Sequence, residues 1–192
     1  MIVAGCATAS RDVAFNGTEG TSYALLAVSD IVGVNSYTYG FKKVDRSNST
    51  FQSDGFRIRI ASDAGNLFKK PEGVGTGVNF VGEMVPPGEY ALVSRTESSR
   101  YGLASADGSS CFSLGAPIFR IRKGQIQMIS LGGGNAVNAV DMTRLQRDVE
   151  IILSAYPNMT APISIAPVIG HITFDVSDPA RCNPSGPYSP AE

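Results

Sequence analysis

Apolar and polar residues alternate along much of this chain in short runs, most clearly in GFRIRIA at Gly55–Ala61. Phe56, Ile58 and Ile60 fall on one side of an extended backbone, and Arg57 and Arg59 fall on the other. That period of two suits a half-buried strand and not a helix. Similar runs are SYALLAVS ending at Ser29, YTYGFKKV at Tyr37–Val44, NFVGEMV at Asn79–Val85 and EYALVS at Glu89–Ser94. IFRIR at Ile118–Arg122, QIQMIS at Gln125–Ser130 and HITFDV at His171–Val176 complete the set. The pattern predicts about seven to eight strands.

The connections carry turn chemistry. Pro86-Pro87-Gly88 and Arg122-Lys123-Gly124-Gln125 each place a glycine where a tight reversal needs one, so each is expected to join two strands as an antiparallel hairpin. One stretch has a different period: Met142, Leu145, Val149, Ile152 and Tyr156 recur at three and four residues behind Asp141, a helix-capping residue type, and Pro157-Asn158 ends the run. The expected fold is therefore all-β, an antiparallel β-sandwich over residues 21–178 with one amphipathic helix near 142–155 packed on it. Residues 6–20, small and polar, read as a flexible tether, and residues 179–192, with four prolines, read as an irregular tail.

Composition narrows the partners. With Lys+Arg 16 against Asp+Glu 17 the formal net charge is -1, which argues against nucleic acid as a partner, because phosphate neutralisation needs a basic surface. The apolar runs are far shorter than the roughly 20 residues that a membrane-spanning helix needs.

The start of the chain, MIVAGCATA, is unusually apolar. Val3-Ala4-Gly5-Cys6 resembles the lipobox of bacterial lipoproteins, an aliphatic residue and two small residues before a cysteine. In that family the cysteine thiol carries diacylglycerol, the chain is cut just before it, and the new amino terminus is usually acylated. The resemblance implies lipidation at Cys6, with residues 1–5 the remnant of an export signal. Only Met1, Ile2 and Val3 form the apolar stretch ahead of the small residues and no basic segment precedes them, so the signal is expected to begin upstream of Met1. Ala7 stands where enteric lipoproteins retained in the inner membrane carry Asp, so the implied location is the outer membrane, facing the periplasm or the cell surface. Acyl chains contribute about 0.8 kcal/mol per buried methylene, enough for a lasting membrane anchor.

With Cys6 assigned to lipid, Cys111 and Cys182 remain, and in an oxidising compartment they are an obvious disulfide pair. The alternative is that they are small buried apolar residues. At VPPGEYALVS, Val85–Ser94, a Pro-Gly turn followed by Glu-Tyr and an aliphatic alternation is similar to a hairpin of transthyretin-like and carboxypeptidase-regulatory-like β-sandwiches, and of small bacterial lipoproteins of unassigned function. That resemblance implies a sandwich of seven or eight strands without an active site of its own.

Candidate chemistry is sparse. His171 is the only histidine, and alternation puts it on one strand face with Thr173 and Asp175, an arrangement a hydrolase could use, although no G-x-S-x-G nucleophile elbow occurs. Neither C-x-x-C nor H-x-x-x-H spacing is present, so no metal or other cofactor is expected. Gly73–Gly77 and Gly132–Gly134 lack the spacing of phosphate-cradling loops. The sharpest surface feature is basic. Arg57 and Arg59 on one strand and Arg120 and Arg122 on another would form a cationic ladder if those strands were neighbours, fit for the phosphates or carboxylates of an acidic glycan or lipid. The alternative is a solvated face offset by nearby Asp and Glu. The resulting expectation is a non-enzymatic cell-envelope lipoprotein, an accessory or adaptor module for another envelope component. Binding an acidic glycan or lipid through the arginine face is the alternative, and a hydrolase built on His171 the weaker one.

Overall fold

A computed structural model describes residues 13–29, 36–61, 67–68, 78–101, 104–131, 142–176 and 182–191. In chain order the strands are β1 (Ser22–Ser29), β2 (Ser36–Asp45), β3 (Thr50–Ala61), β4 (Leu67–Phe68), β5 (Val78–Val85), β6 (Gly88–Tyr101), β7 (Ala104–Cys111), β8 (Ala116–Ile121) and β9 (Ile126–Leu131). After helix α1 (Met142–Ser154) come β10 (Ile163–Ile165), β11 (Val168–Thr173), β12 (Gly186–Pro187) and β13 (Ser189–Pro190). The all-β class with a single helix is what the hydrophobic pattern predicts. Cys6, Gly73–Gly77, Gly132–Gly134 and Asp141 lie outside the described residues.

The small sheet has the order β10-β9-β1-β5-β4. Its centre is apolar on both faces because both are covered. Leu25, Ala27, Ile126 and Met128 meet Leu145, Val149, Ile152 and Leu153 of α1, while Ala24, Leu26, Ile129 and Leu131 meet the large sheet. Double coverage explains why SYALLAVS and IQMISL read as nearly continuous apolar runs. β9 runs parallel to both β1 and β10, and the step from β9 to β10 passes through α1, the kind of crossover that a parallel pair requires. The helix thus has its face set by the sheet that it crosses. Burying each of Leu145, Val149, Ile152 and Leu153 contributes about 1.5–3 kcal/mol.

The large sheet runs β12-β3-β2-β6-β8-β11-β13, with β7 pairing the far half of β6. Its ends are one segment of chain: Gly186 and Pro187 pair with Phe51 and Thr50 of β3, and Ser189 and Pro190 pair with Thr173 and Ile172 of β11, with Tyr188 alone between them. The sheet therefore closes into a small antiparallel barrel at this end. Val44, Phe51, Ala91, Val93, Ala116, Ile118, Ile172, Phe174 and Tyr188 fill it. The opposite face of the same sheet supplies Tyr39, Phe41, Ile58, Ile60, Leu92 and Phe119 to the layer shared with the small sheet.

Several expectations change. Pro86-Pro87-Gly88 does not close a hairpin, since β5 lies in the small sheet and β6 in the large one. The Arg122–Gln125 turn likewise carries the chain from β8 in the large sheet to β9 in the small one. At that corner Gly124 has φ 71°, and a Cβ on it would lie 2.8 Å from the Gly17 carbonyl oxygen, so the position demands glycine on both counts. The expected tether already belongs to the core from Val13. Phe15 is fully buried, bridges Met159, and its carbonyl accepts from the amides of Thr160 and Ala161. The segment read as an irregular tail supplies the two strands that close the barrel. The described residues hold more strands than the expected seven or eight, the additions being mainly short strands and β7.

Candidate binding cleft

β2, β3 and β6 continue beyond the closed part of the barrel, and their barrel-facing residues line an open cleft of about 320 Å³ at its mouth. The alternation that places Val44 and Phe51 inside the barrel puts Lys42 and Gly40 on the same face of β2, and Gly55 and Arg57 on the same face of β3. The register agrees: Lys42 stands opposite Gly55, and Gly40 stands between Arg57 and Ser94. A slip between Gly40 and Phe41 in the pairing of β2 with β6 leaves Val93 as the unpaired residue of a bulge, and both Val93 and Ser94 line the cleft. Gly40 leaves room that a side chain would close, because a Cβ there would run into the Ser94 hydroxyl.

The polar groups of the cleft are well defined. Lys42 Nζ donates to the Ser53 carbonyl oxygen at 3.2 Å, which holds the ammonium against β3. The Ser53 hydroxyl is 3.3 Å from the Asp54 carboxylate. Among the described residues that line the cleft there is no carboxylate, and Arg57 has no ion-pair partner among the described residues. Cys182 and Asn183 form the remaining wall. They are fixed by the Cys111–Cys182 disulfide, which spans 71 residues with a Cα–Cα distance of 5.6 Å and fastens the end of β7 to the start of the barrel-closing segment.

The predicted arginine ladder does not form. β3 and β8 are separated by β2 and β6, three interstrand spacings or roughly 14 Å. Arg120 is committed to Glu89, with Nε and Nη2 at 3.0 and 2.9 Å from Oε1. Arg122 is exposed in the corner after β8, where its carbonyl oxygen accepts from the Ser22 hydroxyl at 2.8 Å. Arg59 is exposed on β3 but lies outside the cleft lining. Arg57 alone of the four reaches the cleft, and its partner cation is Lys42, which the ladder reading did not include. The signal that could have found Lys42 was YTYGFKKV itself, in which Gly40 and Lys42 share a face.

His171 is exposed on β11 opposite Pro117, and its backbone carbonyl accepts from Ala191. The Thr173 hydroxyl turns to the Ser189 carbonyl oxygen at 3.5 Å, and Asp175 is exposed past the strand end. No hydrogen bond joins the His171 side chain to a hydroxyl or carboxylate among the described residues.

Two further polar clusters sit away from the cleft. Gln127, fully buried, donates to Gln125 and Ser164, and Ser164 donates to Gln125 Oε1 at 2.8 Å. Toward the far end of β6 the Arg95 guanidinium lies 5.5 Å over the Tyr37 ring and 3.5 Å from Glu97. Burial raises the phenols of Tyr37 and Tyr39; the Glu97 carboxylate adds to the shift at Tyr37, while Arg95 opposes both. Compared with models of protein families, with curated proteins and with solved structures, the chain matches none of them.

Proposed function

We propose that this chain is a non-enzymatic, extracytoplasmic binding module, held at the bacterial cell envelope by a lipid on Cys6 and presenting the barrel mouth to another envelope component. The observation that supports this reading most is the Cys111–Cys182 disulfide. It secures the strand that closes the barrel, and structural disulfides of this kind persist in oxidising compartments. The lipobox-like Val3–Cys6 places the one remaining cysteine where a lipid would go. Anionic-ligand binding, the other reading, narrows from a four-arginine face to the cleft, where Arg57 stands with Lys42.

The test is expression from the gene's own chromosomal locus with labelled palmitate. Label and membrane association are expected in the native chain and lost in Cys6→Ser. Thiol trapping is expected to leave Cys111 and Cys182 unmodified until a reductant is added. A soluble, unlabelled protein with three reactive thiols would sink the assignment.

A further inference from the structure

We infer that the barrel mouth is a binding site for a single negatively charged sugar residue, carboxylated or phosphorylated, with Arg57 and Lys42 holding the acid group. The inference deepens the binding-module reading, but it is tested on purified protein, so its failure would leave the envelope location untouched.

Charge comes first. Two cations from adjacent strands face one open space in which the described lining offers no carboxylate. An arginine fork pairs bidentately with carboxylate or phosphate, while a lysine adds a point charge that can follow either shape. Lys42 is held in place by the Ser53 carbonyl oxygen and keeps further ammonium protons for a ligand.

The rest of the lining argues against a nucleotide or an acyl lipid. Phe41 and Phe56 also line the cleft, but they stack on each other at 4.6 Å with 13° between their planes, and Phe119 and Tyr90 pack edge-on against them, so little ring face is left for a nucleobase. Val93 is the one aliphatic side chain in the lining, too little to hold an acyl chain. What remains is two hydroxyls, Ser53 and Ser94, and the Asn183 amide, which can donate to and accept from sugar hydroxyls. A space of about 320 Å³ is at the small end of ligand sites and suits one sugar residue, and its open side lets a longer glycan continue into solvent.

The experiment uses the full chain with Cys6→Ser, oxidised, and follows backbone amide resonances during titration. Glucuronate and glucose 6-phosphate are expected to shift Gly40, Gly55, Ser94 and Asn183 saturably, at roughly millimolar affinity for so small a ligand. Glucose is expected to leave them in place. Lys42→Gln with Arg57→Gln should weaken binding about tenfold or more through loss of charge-assisted hydrogen bonds, whereas Lys123→Gln, the same loss of charge at the distant corner, should not. If the double variant loses its dispersed spectrum, Arg57→Gln alone, at an exposed position, carries the comparison. The inference is overturned by the absence of saturable shifts with both acids, by equal shifts with glucose, or by unchanged affinity in the cleft variants. Inorganic phosphate binding as tightly as glucose 6-phosphate would overturn the assignment to a sugar.

Discussion

Pro187 and Pro190, three positions apart in the chain, pair with opposite edges of the same sheet, the first with Thr50 and the second with Ile172. A proline has no amide proton to offer, so the closing strand depends on few donors. Tyr188 donates its amide to the Ser49 carbonyl oxygen, and Ala191 donates to that of His171. Much of the closure must therefore come from the side chain between them. The Tyr188 ring sits 5.4 Å from Phe51 inside the barrel, and its hydroxyl donates to the Asp45 carbonyl oxygen at 3.2 Å.

Tyr188→Ala is accordingly expected to cost about 3–5 kcal/mol in denaturant unfolding, as for a large buried aromatic. Tyr188→Phe, which loses only the hydroxyl's bond, is expected to cost about 0.5–1.5 kcal/mol. Equal costs for the two would show that the ring contributes little to closing the barrel.

Reducing the disulfide, or replacing both cysteines by serine, should destabilise the chain by about 4 kcal/mol, the loop-entropy value for a closure spanning 71 residues. The loss should appear as a lower denaturation midpoint, and amide exchange should rise first at Gly186–Ala191. Uniform exchange across both sheets would mean that the bridge supports the whole fold and not the closing strand in particular.

The parts of this architecture that were legible share a cause. β3 is half-buried, so its two faces differ and the alternation of Phe56–Ile60 shows it. α1 is amphipathic, and Met142–Ser154 falls within the range that its periodicity marks. Turn residues, in contrast, announce a change of direction but not the partner of the strand that follows, which is why both glycine turns predict hairpins although they are corners between sheets. β7, ASADGSSC, holds its place through backbone pairing with β6 and has little apolar pattern to detect. The barrel closure was hidden because prolines argue against strands in general, although they are compatible with short strands that donate little. At the cleft, Arg57 was visible as an outward residue of β3, but its pairing with Lys42 follows from β2 lying next to β3, which periodicity does not reveal.

Gly82 on β5 is a further point of tight fit. It stands opposite Leu25, and the Tyr23 ring from two residues along β1 lies over it, so that a Cβ at Gly82 would run into the ring. Gly82→Ala is therefore expected to cost about 1–3 kcal/mol by overpacking. In a Tyr23→Leu background most of that cost should vanish, and the double-mutant cycle measures how much. A cost unchanged in that background would place the strain in the backbone and not in the ring.

Tyr23 also sets how the protein meets alkaline conditions. Its ring lies among Phe15 and Phe68, 5.8 and 6.2 Å away, and burial pushes its phenol far above the ordinary value, with the Glu83 carboxylate adding to the shift. Burial likewise raises Tyr39, Tyr90 and Tyr188. A raised value in the folded state means that the unfolded chain releases the proton first. The stabilisation from the neutral phenols is thus complete below pH of about 10, the ordinary tyrosine value, and is lost progressively above it. Melting temperature should carry no tyrosine-linked slope between neutral pH and that point and should then fall, and Tyr23→Phe should fall less steeply. Phenolate absorbance should show a fraction of the 7 tyrosines ionising only as circular dichroism reports unfolding. If all of them titrate near pH 10 while the β signal stays intact, Tyr23 does not occupy the dry layer between the small sheet and α1.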